Sequence, residues 1–177
     1  MNITTSNIKE LRDRCGAGVM DCRKALFESE GDTEKALQIL KQQGLLRAKK
    51  KAERTTTQGI IEAYIHAGGR IGAMVKVNCE TDFVARTNEF KELAHHLAMQ
   101  VAAMNPKFIS REDIPEGNNT DPEGNDINPE ITCLLLQSDI KCPDRSIQET
   151  IDETIAKVGE NIQVSQFARF EVGSQKS

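Results

Sequence analysis

The chain has 177 residues and a net charge of −4, with 38% apolar, 28% charged and 4% aromatic side chains, no Trp and one Tyr. That length suits one compact domain, or one domain with a small satellite, around an aliphatic core. No apolar run reaches the roughly 18–20 residues that cross a bilayer, and Met1–Lys9 lacks the basic start and apolar stretch of a secretory signal, so a soluble cytoplasmic protein is expected.

Three short helices read from the N-terminus. The first runs from about Asn7 to Arg14, with Thr5 or Ser6 as cap and Ile8 and Leu11 inward. The second follows the Gly-rich corner Cys15–Met20 and carries Cys22, Ala25 and Leu26. Gly31 ends it, Asp32 caps a third helix bearing Ala36, Leu37 and Leu40, and Gly44 stops that one. None is long enough to stand alone, so residues 1–46 are predicted to form a three-helix bundle. Residues 47–56, rich in Arg and Lys, read as a solvated linker, either irregular or partly helical. Residues 1–56 carry 12 basic and 8 acidic side chains and residues 57–177 carry 11 and 19, which marks two units of opposite charge.

The apolar period then changes from helical to two. Ile61, Ala63 and Ile65 alternate with polar residues, Gly68-Gly69 makes a two-residue turn, and Ile71, Ala73, Val75 and Val77 continue the alternation: a β-hairpin with one buried face. Phe90, Leu93, Ala94, Leu97, Ala98, Val101 and Ala102 draw a continuous helical stripe, capped by Thr87, that can cover the hairpin. Residues 115–130, with three Pro, two Gly and four Asn, read as an irregular loop. A short helix follows near Glu130–Ser138. Ser146-Ile147-Gln148-Glu149 is a capping box opening a helix that Gly159 stops. Ile162, Val164, Ala168, Phe170 and Val172 then mark one side of a third strand. The fold class is α+β: residues 57–177 form a three-stranded antiparallel sheet with helices on one face, joined to the bundle.

Machinery for covalent chemistry is sparse. The sequence holds three His (His66, His95, His96), no H-E-x-x-H, no phosphate-binding glycine loop and no G-x-S-x-G. Its five Cys are odd in number and form no C-x-x-C pair, so free thiols, no metal site and no cofactor are expected. Two features exceed what a plain domain requires. One is the corner that presents Val19 and Met20. The other is Thr81-Asp82-Phe83-Val84 between strand and helix, which on pattern alone reads as a capped turn tucking Phe83 inward.

Leu11-Arg12, the run Cys15–Leu26, Gly31-Asp32 and Ala36 together resemble the N-terminal signature of elongation factor Ts from bacteria and organelles. Asn78–Ala85 resembles that family's second signature, and Gly159–Ile162 with Arg169–Gly173 its C-terminal strand. The resemblance spans nearly the whole chain and implies a short form with a single core half; short forms can work as homodimers. It implies a nucleotide exchange factor for elongation factor Tu, not an enzyme, working in the bacterial cytoplasm or in an organelle stroma or matrix. The bundle looks ubiquitin-associated-like and would dock on the GTPase through Leu11, Arg12, Val19, Met20 and Lys24. Thr81, Asp82, Phe83 and Val84 would act near the partner's Mg²⁺, with Phe83 as wedge and Asp82 holding the displaced arrangement. Two other classes fit part of the pattern. An adaptor for ubiquitin-like domains leaves Thr81–Val84 idle, and an RNA-associated protein using Arg47–Arg54 is disfavoured by the −8 core. Direct contact with nucleic acid or membrane is not expected.

Overall fold

The computed structural model describes residues 3–115 and 127–173. Helices α1 (Thr5–Cys15), α2 (Val19–Glu28) and α3 (Thr33–Lys51) come first, with Leu11, Cys22, Ala25, Leu26 and Ala36 as their common interior. Thr4, rather than Thr5 or Ser6, caps α1, its hydroxyl accepting from Asn7 N at 3.3 Å. Asp32 caps α3 as expected, accepting from the amides of Glu34 and Lys35.

Helix α3 does not stop at Gly44. It continues to Lys51 and takes in much of the segment expected as linker. The reason is a tertiary contact. A β-carbon at Gly44 would stand 3.4 Å from Ala156 Cβ of helix α7 (Ile147–Val158), so the missing side chain lets the two helices approach closely. That packing offsets the roughly 1 kcal/mol helix penalty of glycine. Ala48 enters the main core, and Lys51 Nζ donates to Gly159 O at 2.6 Å.

Strands β1 (Gln58–Ile65), β2 (Ile71–Cys79) and β3 (Ile162–Glu171) form an antiparallel sheet in the order β1-β2-β3. Between β2 and β3 lie α4 (Asp82–Ala85), α5 (Asn88–Met104), α6 (Pro129–Thr132) and α7. The core of Phe90, Leu97, Val101, Val75, Val77, Leu134, Ile147 and Ile151 sits between sheet and helices. Each such side chain contributes about 1.5–3 kcal/mol by leaving water. Thr87 caps α5, the Ser146–Glu149 box opens α7, and Gly159 closes it with φ 82°, all as expected. The short helix expected at Glu130–Ser138 is α6 followed by a 3₁₀ turn at Leu134–Leu136. Most of the expected 115–130 loop, residues 116–126, lies outside the described residues.

Three details of the sheet differ from the sequence pattern. The hairpin connection is longer than two residues: His66 N bonds Ile71 O, and Gly69 N closes a turn onto His66 O. In β1 the inward face is Ile60, Glu62 and Tyr64, which pair with Val77, Val75 and Ala73, whereas Ile61, Ala63 and Ile65 point outward. Because β1 is an edge strand, the polar tips of Glu62 and Tyr64 reach the margin of the core, where Glu62 Oε1 lies 2.9 Å from His95 Nδ1. In β3 the pairing shifts between Lys76 and Val77, leaving Ser165 as an extra residue. A bulge of one residue reverses which side faces inward. Ile162 and Val164 are therefore buried as predicted, but Phe167 and Arg169 take over the inner side, and Phe170 and Val172 are exposed. Arg169 Nε caps the end of α5 by donating to Ala102 O at 3.0 Å.

Candidate partner-binding surface

The turn Thr81–Val84 is built to hold an aromatic outside. Thr81 caps α4, but its hydroxyl is occupied mainly by another element: it donates to Glu160 Oε1 at 2.6 Å while Thr81 N donates to Glu160 Oε2 at 2.9 Å. Glu80, one residue earlier, accepts from Asn161 N at 2.7 Å. Asn161 Nδ2 in turn donates to the carbonyls of Ala52 and Arg54. Val84 and Ala85 bury the inner side of the turn, and Thr87 Oγ1 ties back to Val84 O. With both ends and one face fixed, the outward position falls to Phe83, which is 78% exposed. The expectation that Phe83 tucks inward is thus overturned. Asp82 Oδ2 accepts from Arg86 Nη2 at 2.7 Å, an exposed i,i+4 ion pair.

A second exposed apolar group lies on α2. Val19 and Met20 are at least half exposed, and Arg23, Lys24 and Phe27 share their helix face at spacings of four, with Phe27 77% exposed. Gly16, with φ 67°, turns the chain between α1 and α2, and the Lys157 side chain lies over it, 3.5 Å from where a β-carbon would stand. Arg12 is exposed, but Leu11 is fully buried and supports the bundle from within. Large apolar groups held in water at fixed positions mark surfaces that bind other proteins.

Comparison with known proteins separates the possibilities. The model of the family described as Elongation factor TS matches residues 32–122. Proteins named Elongation factor Ts are 46% identical in Carboxydothermus hydrogenoformans and 48% in Syntrophomonas wolfei, each over 97% of this chain and 89% and 91% of theirs. The relative of that name in Thermotoga neapolitana is 47% identical over 99% of this chain and all of its own. The chain belongs to the elongation factor Ts family. Members of the elongation factor Ts family act without covalent chemistry of their own, so this chain is not an enzyme.

The stretches that resemble the elongation factor Ts signatures meet in space. Glu160 and Asn161 of the third hold the Thr81 turn of the second, while Lys157, just before Gly159, lies on Gly16 of the first. Arg86 and Phe27 do not stand out in the sequence, and Glu160 does so only as part of the stretch Gly159–Ile162. Phe27 has a readable signal, its spacing of eight from Val19; the bond from Thr81 to Glu160 has none, because the two lie 79 residues apart. Among the described residues no group of three or more His, Cys, Asp or Glu could hold a metal ion, and no helix is long and apolar enough to cross a membrane.

Proposed function

We propose that the chain is the guanine nucleotide exchange factor for elongation factor Tu: it binds the GDP-bound GTPase, disturbs its Mg²⁺ site and promotes GDP release so that GTP can enter. The observation that carries this reading is Phe83, an aromatic ring held in water by a turn anchored at Glu160, Val84 and Thr87. A ring so held loses little conformational entropy when it wedges between partner side chains. Mg²⁺ neutralises the diphosphate, so shifting its ligands removes a large local attraction. Weakening GDP a thousandfold takes about 4 kcal/mol of coupling, and by reciprocity GDP weakens this chain's binding equally.

The roles divide between two units. Residues 1–46, ubiquitin-associated-like in build, dock on the GTPase through Arg12, Val19, Met20 and Lys24, with Leu11 supporting them from inside. Thr81, Asp82, Phe83 and Val84 of the core act near the Mg²⁺. The factor works in the cytoplasm, or in a stroma or matrix if the gene is organellar, and contacts neither nucleic acid nor membrane directly. The test is the release rate of a fluorescent GDP from elongation factor Tu with and without the chain. Acceleration supports the reading; an unchanged rate at saturating chain refutes it.

The outer face of the sheet supports a homodimer. Ile61, Ile65, Met74 and Phe170 are exposed on it, with Ala63 and Ala168 between them in register. Sheets with such faces stack about 10 Å apart, and a second copy offers a matching face under two-fold symmetry. Light scattering after gel filtration should give twice the chain mass, falling to one with Ile65→Lys. A monomeric wild-type chain refutes the dimer and leaves exchange untouched.

A further inference from the structure

The corner between α1 and α2 brings together two thiols that docking leaves unused. Cys15 ends α1 and Cys22 lies in α2, and the reversal at Gly16 sets their sulfurs 3.9 Å apart. The two differ in access. Cys15 is half-buried and lines a cavity of about 280 Å³ between the bundle and α7, whose wall mixes Arg14, Lys41 and Lys157 with Asp21, Asp152 and Glu153. Cys22 is buried behind it. Burial pushes the Cys22 thiol up to about 11, with Cys15 and Asp21 adding to the effect and Arg12 opposing it. Cys15, by contrast, can be reached by a small reagent through that cavity.

We propose that Cys15 and Cys22 form an intrachain thiol–disulfide couple, reached by low-molecular-weight disulfides through the cavity against α7. In the first step the Cys15 thiolate attacks one sulfur of a disulfide RSSR. A bond forms between Cys15 Sγ and that sulfur, the RS–SR bond breaks, and RS⁻ leaves. In the second, Cys22 gives up its proton and attacks Cys15 Sγ; the Cys15–SR bond breaks and the second RS⁻ leaves. Two protein thiols and RSSR thus become one protein disulfide and two RSH, the protein losing two electrons that the small disulfide gains. Closing the sulfurs from 3.9 Å to about 2 Å costs Cys22 only a weak contact to Ala17 O at 3.7 Å. The bridge ties the end of α1 to the first turns of α2, at the corner from which Val19 and Met20 project.

The test uses the full chain alone with glutathione disulfide, so its result is independent of the exchange reading. After alkylation and digestion, mass mapping should find the Cys15 and Cys22 peptides joined with a loss of about 2 Da and no glutathione on either. The exposed Cys142 should carry the adduct, and buried Cys79 and Cys133 should stay reduced. In Cys22→Ser the adduct should persist on Cys15, and in Cys15→Ser Cys22 should stay reduced. The proposal is overturned if both thiols remain reduced while Cys142 reacts, or if glutathione stays on Cys15 of the unaltered chain. Direct reaction of Cys22 in Cys15→Ser would overturn the route through Cys15.

Discussion

Replacing Phe83 by Ala separates a wedge from a core residue. A fully buried Phe truncated to Ala costs about 3–5 kcal/mol through lost transfer energy and a cavity. With 78% of Phe83 exposed, only about a fifth of its surface is out of water. Burying a whole Phe side chain is worth about 1.5–3 kcal/mol, so the truncation should cost roughly 0.5 kcal/mol, partly offset by the better helix propensity of Ala in α4. For a chain of this size that corresponds to a Tm shift of about 1–2 °C. In the complex the same ring would be buried whole, and losing about 1.5–3 kcal/mol of coupling slows GDP release roughly 10- to 100-fold. Stopped-flow release of fluorescent GDP at saturating factor, with calorimetric melting of the same preparation, reads both numbers. Docking through the bundle should persist, so binding to nucleotide-free GTPase should remain measurable. Release at the unaltered rate would refute the wedge, and a fall in Tm above about 5 °C with poor exchange would return Phe83 to a packing role.

Three further outcomes follow from the same geometry. Leu11→Ala should destabilise the bundle by about 2–5 kcal/mol, read by urea denaturation, whereas Met20→Ala should leave stability within about 0.5 kcal/mol yet weaken GTPase binding measured by calorimetry. Glu160→Ala strips both acceptors from Thr81 and should cost about 1–3 kcal/mol together with exchange activity; loss of neither in the same two assays would mean that the turn holds itself. His96 is buried on α5 with Nε2 3.0 Å from Asp139 Oδ1 but out of line for a hydrogen bond, and burial lowers its pKa while Asp139 opposes that shift and Lys141 and Arg145 add to it. The unfolded chain then takes up the proton first, so stability is full above about pH 6.5 and declines as pH falls below it toward the lower folded value. Denaturation midpoints between pH 7.5 and 5.5 should show that decline, and His96→Gln should flatten it.

Local chemistry was legible in the chain itself. Thr87, Asp32, the Ser146–Glu149 box and Gly159 end helices through bonds spanning a few residues, so their positions follow from sequence neighbours. The stripe from Phe90 to Ala102 has one apolar side, and that side is buried. The three stretches that carry the family resemblance were legible too, because each is a continuous run of residues. What tertiary structure decided is whatever depends on a distant partner. Strand β1 carries side chains able to pack on both sides, and only pairing with Val75 and Val77 beneath α5 selects Glu62 and Tyr64 over Ile61 and Ile65. The extra Ser165 changes sides in β3 because of register with β2, which no pattern within β3 displays. Gly44 reads as a stop until α7 lies against it. Phe83 shows the same division. Its turn is capped by Thr81 as local rules require, but its exposure is set by Glu160 and by the burial of Val84, contacts that exist only once the chain has closed on itself.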